Sequence, residues 1–338
     1  MQKLEKGGYV ETSKLTFGEY LTEWLAATRR DLRPSSYPFY EITVEKYLVP
    51  RLGGVPLQKL RPQQLTVLYT ELLESGRTQR EGGLSASTVR RVHSLARKAL
   101  ADAVGDGLLE HNPAANAKPP KAKVAEEQAR KKRRFWSADE VRVFLQELEG
   151  HRLQAALHLA ATTGMRRGEV LGLRWQDLDF EGSRLVVEQT LVAPRYQLTF
   201  SEPKTKQGRR SIDLDPETLA VLRAHRKRQA EEQLSFGPGY AESELVFRSE
   251  DGTPVIPHLF TLVFKKAVRE AGLPAIRLHD LRHTHVALLA RAGIPAKVIQ
   301  ERVGHHSAGF TLDNYGGTFP AQHREAAERF AALVSAPR

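Results

Sequence analysis

Apolar residues recur at three- and four-residue intervals through most of the first 117 positions, the spacing that lines one face of an α-helix. In LTFGEYLTEWLAATRR the stripe is Leu15, Phe17, Tyr20, Leu21, Trp24 and Leu25. Thr16 precedes it and Glu19 follows three residues later, the spacing of a capping box, which predicts a helix start there. A second helix is predicted across SYPFYEITVEKYLVPRL, closed by Gly53 and Gly54. RPQQLTVLYTELLESG gives a third, with Pro62 near its start and Gly76 past its end. In the fourth, SASTVRRVHSLARKALADAVGDG, apolar positions alternate with Arg90, Arg91, Arg97 and Lys98. A basic face that tracks phosphates and a solvated surface face would read alike here.

The pattern breaks at KPPKAKVAEEQARKKRR, residues 118–134. Two prolines, no large aromatic and a terminal basic run read as a basic linker. From Phe135 a new domain is expected. Ser137 and Glu140 suit a helix start before VRVFLQEL, and HRLQAALHLAATTG reads as a more apolar, buried helix. RLVVEQTLV, YQLTF and GRRSIDL are short β-rich runs separated by Pro, Gly and polar residues, which predicts a small antiparallel sheet. Helix resumes at DPETLAVLRAHRKRQAEEQ and continues to the end, where AQHREAAERFAALV is amphipathic, with Ala326, Phe330, Ala331 and Val334 near one face. The expected fold is thus mainly α with a small antiparallel β-sheet (α+β). Its parts are an N-terminal tail at 1–14, a helical domain at 15–117, the linker at 118–134 and a second domain at 135–338.

Composition narrows the function. A chain of 338 residues, 41% of them hydrophobic, suits about two domains with real cores. No stretch approaches the roughly 18 unbroken apolar residues of a membrane helix, and MQKLEKGGYV lacks an apolar signal core. A cytoplasmic, DNA-associated location is the default expectation. Cysteine is absent, which excludes disulfides, thiolate nucleophiles and Cys-ligated zinc. The 51 Lys and Arg against 40 Asp and Glu leave a net charge of +11, which points to a polyanionic partner, most often nucleic acid.

Four segments of the second domain carry the candidate chemistry. In ATTGMRRGEVLGLRWQDLD, Gly164 permits a turn after the buried helix and Arg166 starts the next. EPKTKQGRRSIDL places Lys204 in a turn between strands. In RLHDLRHTHVALLARAGIP, His279 and Arg282 stand three apart and share a helix face. In ERVGHHSAGFTLDNYGG, His305 precedes Tyr315 by ten residues, and Gly316 and Gly317 leave the tyrosine in a mobile setting. These segments resemble the catalytic domain of the tyrosine recombinase and phage integrase family. That family's pattern is an arginine in TGxRxxE, a hairpin lysine, an HxxR pair, a GH pair and a tyrosine. By this resemblance Arg166 is the first arginine, Glu169 its acidic companion, Lys204 the hairpin lysine, His279 and Arg282 the HxxR pair, His305 the GH histidine and Tyr315 the nucleophile. Any one motif occurs by chance; five in order across some 150 residues do not. The first domain's helical pattern is similar to the family's core-binding domain, more loosely.

The roles follow from the chemistry of strand exchange. A tyrosine oxygen can attack a phosphodiester and keep its bond energy in a covalent intermediate. The transition state gathers negative charge that two always-charged, bidentate arginines, Arg166 and Arg282, can meet. Lys204 could protonate the leaving 5′-oxygen. His279 is the candidate base for the phenol, His305 would hydrogen-bond a phosphate oxygen, and Glu169 buttresses an arginine. No metal or nucleotide cofactor is required. His279, His283, His285, His305 and His306 form a His-rich group, but no HExxH pattern is present and acidic ligands are poorly placed, so packing or orientation is the better reading for His283 and His285.

The resemblance implies two domains clamping double-stranded DNA at specific attachment or crossover sites. It also implies a homotetramer on two duplexes, with the C-terminal helix docked on a neighbouring subunit and an accessory DNA-bending or excision factor. The PKTK, TLDNY and EYLTEWL segments are closer to integrases of phages and integrative elements than to chromosome-dimer resolvases. Many such integrases carry an N-terminal arm-binding domain, and QKLEKGGYVETSKLT is similar to the joint that follows it. The rival readings are a non-catalytic DNA-binding regulator, which needs neither Tyr315 nor paired arginines, and a type IB topoisomerase-like enzyme, which relaxes DNA without strand exchange between sites.

Overall fold

Thr16 opens the first helix through a complete capping box: its hydroxyl accepts from the Glu19 amide (3.3 Å), and the Glu19 carboxylate accepts from the Thr16 amide (2.9 Å). The structure is a computed structural model. It describes residues 12–32, 36–78, 81–131, 134–193, 197–202, 208–305, 328 and 330–332. The chain divides into two units, Met1–Arg133 and Arg134–Arg338. The fold is mainly helical with a little antiparallel sheet.

In the first unit, α1 (Phe17–Thr28) is followed by α2 (Tyr37–Ile42), a π-helical turn (Thr43–Leu48) and α3 (Val49–Leu52), which run on as one helical stretch. The wide turn has a cause in Pro50. Proline has no N–H, and its ring would collide with the carbonyl four residues back, at Lys46. The Arg51 guanidinium donates to that carbonyl instead (3.1 Å). Next come α4 (Pro62–Ser75) and α5 (Ala86–Gly105). The predicted stripe from Phe17 to Leu25 is buried in the core of the unit, and two of its side chains reach α5, where the Tyr20 hydroxyl donates to the Ala99 carbonyl (2.6 Å) and the Trp24 indole to the Asp102 carboxylate (2.8 Å). Three of the basic residues of α5 are engaged within the unit. Arg90 donates to the Pro120 carbonyl (2.7 Å), Arg91 lies over the Phe39 ring (3.9 Å to its centroid), and Lys98 faces Trp24 and Tyr40.

The stretch expected to be a linker holds a helix, α6 (Ala122–Lys131), which packs on α5. Pro119 and Pro120 precede it, where they break nothing, and Ala, Glu, Gln and Lys behind them are good helix formers. Gln128 accepts from the Ala86 amide (3.3 Å) and Ala125 is buried.

The second unit runs α7 (Ala138–Glu147), α8 (Gln154–Thr163), α9 (Arg167–Leu171), β1 (Leu178–Asp179), β2 (Arg184–Val187), β3 (Thr190–Val192), β4 (Thr199–Ser201), β5 (Arg210–Asp213), α10 (Pro216–Phe236), α11 (Pro257–Glu270), α12 (Leu278–Arg291) and α13 (Ala296–Val303). Ser137 and Glu140 cap α7 as their spacing predicts. α8 is buried on almost every side, which is why its sequence carries no Asp, Glu, Lys or Arg. Trp136, Phe144, Phe247, Phe260 and Phe264 fill the core, and the Trp136 amide donates to the Thr284 hydroxyl of α12 (3.1 Å).

The strands form an antiparallel sheet in the order β1-β2-β5 and a separate β3-β4 ribbon. In the sheet Leu185 faces Ile212 and Val187 faces Arg210. Side chains alternate faces along a strand, so Arg210 shares the buried face with Ile212. Of the C-terminal amphipathic stretch, only 328 and 330–332 are described; they are helical and exposed, and the expected docking of this stretch lies outside the described residues. Among the described residues no helix is long and apolar enough to cross a membrane.

Candidate active site

The end of α8 sets the first element of the site. Gly164 caps α8 in the left-handed conformation (φ 65°), and a Cβ there would come within 2.9 Å of the His285 ring. The chain then turns so that Arg166 stands at the N-cap of α9. Glu169, one turn into α9, takes the Arg166 amide on Oε2 (2.8 Å) and the Arg166 guanidinium on Oε1 (2.6 Å). From the other side Arg210 of β5 grips both oxygens, at 2.8 and 3.2 Å. Burial pushes the Glu169 carboxyl up, but the hydrogen bonds and charge of Arg210 and the charge and amide of Arg166 outweigh it and hold the pKa at about 2.

The second element is the C-terminal end of α13. The last carbonyls of a helix lack partners within it and carry its negative dipole end. Here three successive carbonyls receive three arginines from distant parts of the chain. Arg210 Nε donates to Arg302 O (2.8 Å), Arg282 Nη2 to Val303 O, and Arg166 Nη2 to Gly304 O (3.1 Å). Gly304 is left-handed (φ 67°), which ends the helix and turns the chain into His305. Gln300 fixes this turn by accepting the His305 amide (3.1 Å) and donating to its carbonyl (3.2 Å). The other arm of Arg282 donates to Gly164 O (2.8 Å), so this buried guanidinium bridges the ends of α8 and α13.

Arg166, Glu169, His279, Arg282 and His305 therefore lie on elements that meet at one place. Arg166 keeps 43% of its side chain exposed, and with His279, Arg167, Thr190, Phe260 and Arg277 it lines a cleft of about 500 Å³. His279 is exposed at the start of α12, its ring edge-to-face with His283 (5.1 Å between centroids). The protein packed around the ring, then the Arg282 charge, push its pKa below the ordinary value, so the ring is neutral and can accept a proton at pH 7. Lys204 and Tyr315, the expected hairpin lysine and nucleophile, lie outside the described residues.

Two buried histidines serve the scaffold. His285 accepts from Arg302 Nε (3.2 Å) and donates to the Ala161 carbonyl; burial first, then the Arg302 and Arg282 charges, lower its pKa to about 3. Burial likewise lowers His225 to about 4, where its ring packs between Trp175 and Phe247. Both pKa values lie below the 6.5 of an unfolded histidine, so this stability is complete above pH 6.5 and is lost as pH falls towards the folded values. At pH 5 each should cost about 2 kcal/mol. Thermal melts between pH 7 and 5 should show the second unit losing stability; a flat profile would contradict it. Among the described residues no group of three or more His, Asp or Glu is placed to hold a metal ion.

Sequence reasoning missed Arg210 and Arg302. The period-two pattern of β5 was the available signal for Arg210, since it sets that arginine on the same face as Ile212. Arg302 ties α13 to the rest of the unit, donating to the Asp213 carbonyl (3.0 Å) and the Thr162 carbonyl (3.3 Å). Nothing in its local spacing marks it.

Comparison with known proteins identifies the family and the fold. Residues 134–319 match the phage integrase family, and residues 16–73 match the phage integrase N-terminal SAM-like domain. A tyrosine recombinase XerC-like protein of Caldanaerobacter subterraneus is 29% identical, over 96% of this chain and 85% of its own length. In fold, the chain is similar to the Tn1549 transposon integrase in complex with a circular intermediate DNA, with a TM-score of 0.76 and 20% identity over 94% of this chain and all of that one. It is also similar to a lambda integrase in a tetramer bound to a Holliday junction, with a TM-score of 0.64 and 19% identity over 90% and 79% of the two chains.

Proposed function

Because this chain belongs to the phage integrase family, the tyrosine recombinases, we propose that it is a site-specific recombinase of a mobile element, integrating or excising DNA through a covalent bond to Tyr315. The observation that carries the reading is the meeting of Arg166 and Arg282 on adjacent carbonyls, Gly304 and Val303, of the turn that leads into His305. Two fixed guanidinium groups anchored on neighbouring carbonyls, that of Arg166 lining the cleft, suit a phosphodiester whose transition state gains negative charge.

In this reading the Tyr315 oxygen attacks the scissile phosphorus. The bond to the 5′-oxygen breaks and a 3′-phosphotyrosine forms. Neutral His279 takes the phenol proton, and Lys204 gives one to the leaving 5′-oxygen. Arg166, Arg282 and His305 hold the non-bridging oxygens. A 5′-hydroxyl from the partner duplex then attacks the phosphotyrosine and frees the enzyme, so that exchange of one strand pair leaves a Holliday junction. Residues 15–117 would contact the core site. A tetramer on two duplexes fits this reading (the similar lambda integrase is a tetramer bound to a Holliday junction), and an accessory DNA-bending or excision factor would set direction.

The test mixes the protein with nicked duplexes tiled across the DNA flanking its gene, quenches in SDS, and compares wild type with Tyr315→Phe. An SDS-resistant adduct with wild type alone, at one sequence, is the expected result. Binding without an adduct would defeat the recombinase reading in favour of a DNA-binding regulator, and relaxation without sequence preference would favour a topoisomerase.

A further inference from the structure

The sheet position of Arg210 does not call for a charge. Its cross-strand neighbour is Val187 and its same-face neighbour is Ile212, so an unbranched apolar side chain would suit the position sterically. A buried ion pair is weak evidence of stability for its own sake, because burying two charges costs about as much as their attraction returns. The bonding of Arg210 shows a more specific use. Its side chain is 6% exposed, and its fork is spent on three elements. Nη1 and Nη2 take the two oxygens of Glu169 in α9, Nε takes Arg302 O at the end of α13, and Nη1 also reaches Gly208 O in its own strand segment.

Those contacts govern the groups around the reacting phosphate. Glu169 holds Arg166 twice, by amide and by guanidinium, and Arg210 sets the plane of the Glu169 carboxylate. The Arg302 carbonyl begins the run whose next two members receive Arg282 and Arg166. β5 also follows directly on the segment that carries Lys204.

We propose that Arg210 is a positioning residue for strand cleavage: through Glu169 and the end of α13 it fixes the orientation of Arg166 relative to Arg282 and His305. The proposal rests on the recombinase reading above. The charged groups facing Glu169 are Arg210 from β5 and Arg166 from the start of α9. Without Arg210 the carboxyl keeps its burial and loses its larger counterion, so its pKa rises towards neutrality.

The full chain carrying Arg210→Met is therefore expected to bind the nicked duplexes as wild type does but to cleave them about 100-fold more slowly in a single turnover, the scale of a small misplacement of a reacting group. Its rate should also begin to fall at a higher pH than that of wild type, whose own fall towards acid is set by protonation of His279. Arg210→Lys, a point charge without the fork, should lie between the two. A merely structural role predicts a lower melting temperature, with neither change at temperatures where the variant is folded. A folded Arg210→Met that cleaves at the wild-type rate with the wild-type pH profile overturns the proposal.

Should Arg210→Met not fold, Glu169→Gln/Arg210→Met removes both charges together. Slow cleavage with the wild-type pH profile by that protein supports the role, and a wild-type rate overturns it. The carboxyl carbon of Glu169, followed by NMR in DNA-free protein, separates the two levels. A wild type that forms no adduct defeats the recombinase reading alone. A Glu169 signal in Arg210→Met (or in Arg210→Lys, if that is the variant that folds) that stays ionised to the same acid pH as wild type defeats the positioning role.

Discussion

Glu169→Ala is expected to lower the melting temperature of the second unit by roughly 10 °C and to leave the first unit unchanged. The cause is the arginine left behind. With the carboxylate gone, Arg210 remains 6% exposed with no counterion, and breaking a buried pair from one side costs about 3–5 kcal/mol. Holding the carboxyl at about 2 rather than 4.5 points the same way, since it corresponds to about 3 kcal/mol. The folded pKa is depressed, so this stability is present above pH 4.5 and is lost as pH falls through about 2. It thus fails in a more acidic window than the contribution of His285 and His225. Glu169→Gln should cost less, because one amide oxygen still accepts. Calorimetry on the three proteins checks this; a Glu169→Ala melt within about 2 °C of wild type would show that Arg210 finds another partner or water.

Most of the helical fold was legible because it rests on short-range rules. Thr16 with Glu19 and Ser137 with Glu140 form the caps their spacing promised, and Pro62 and Gly76 bracket α4 as expected. The π-helical turn before Pro50 and the helix α6 were not foreseen. In the first case a proline is accommodated by a local widening that depends on Arg51 reaching back. In the second, the two prolines that suggest an irregular segment only precede a run of helix formers.

The site divides in the same way. Arg166, Glu169, His279, Arg282 and His305 are recognisable as types at a spacing, and the fold brings their elements together. What spacing could not express is how they are held. The partners of the arginines are backbone carbonyls of α13, which carry no identity in a sequence, and an arginine on a strand whose neighbours are apolar. A helix end becomes the common anchor because it offers unpaired carbonyls and a negative dipole to any cation that reaches it. Guanidinium groups can meet that demand and still be charged at every working pH.

That anchoring decides what Arg282 should be worth. It is buried, with one arm on Gly164 O and the other on Val303 O, so its geometry is set before any DNA arrives. Preorganised charge of this kind contributes most when negative charge develops, and loss of one such donor costs about 100- to 1,000-fold. Arg282→Ala should reach the upper end of that range in single-turnover cleavage, because it also releases the ends of α8 and α13 that carry Gly164 and Gly304. The two abandoned carbonyls would cost about 1–3 kcal/mol each in stability, so the rate must be measured well below the variant's melting temperature. Arg282→Lys separates charge from geometry. A lysine keeps the charge but cannot span both carbonyls, so if the fixed fork matters it should recover stability in part and cleavage hardly at all. A lysine variant that cleaves within tenfold of wild type would mean that charge alone suffices and that the two-carbonyl bridge is scaffolding. An alanine variant that does so would remove Arg282 from the chemistry altogether.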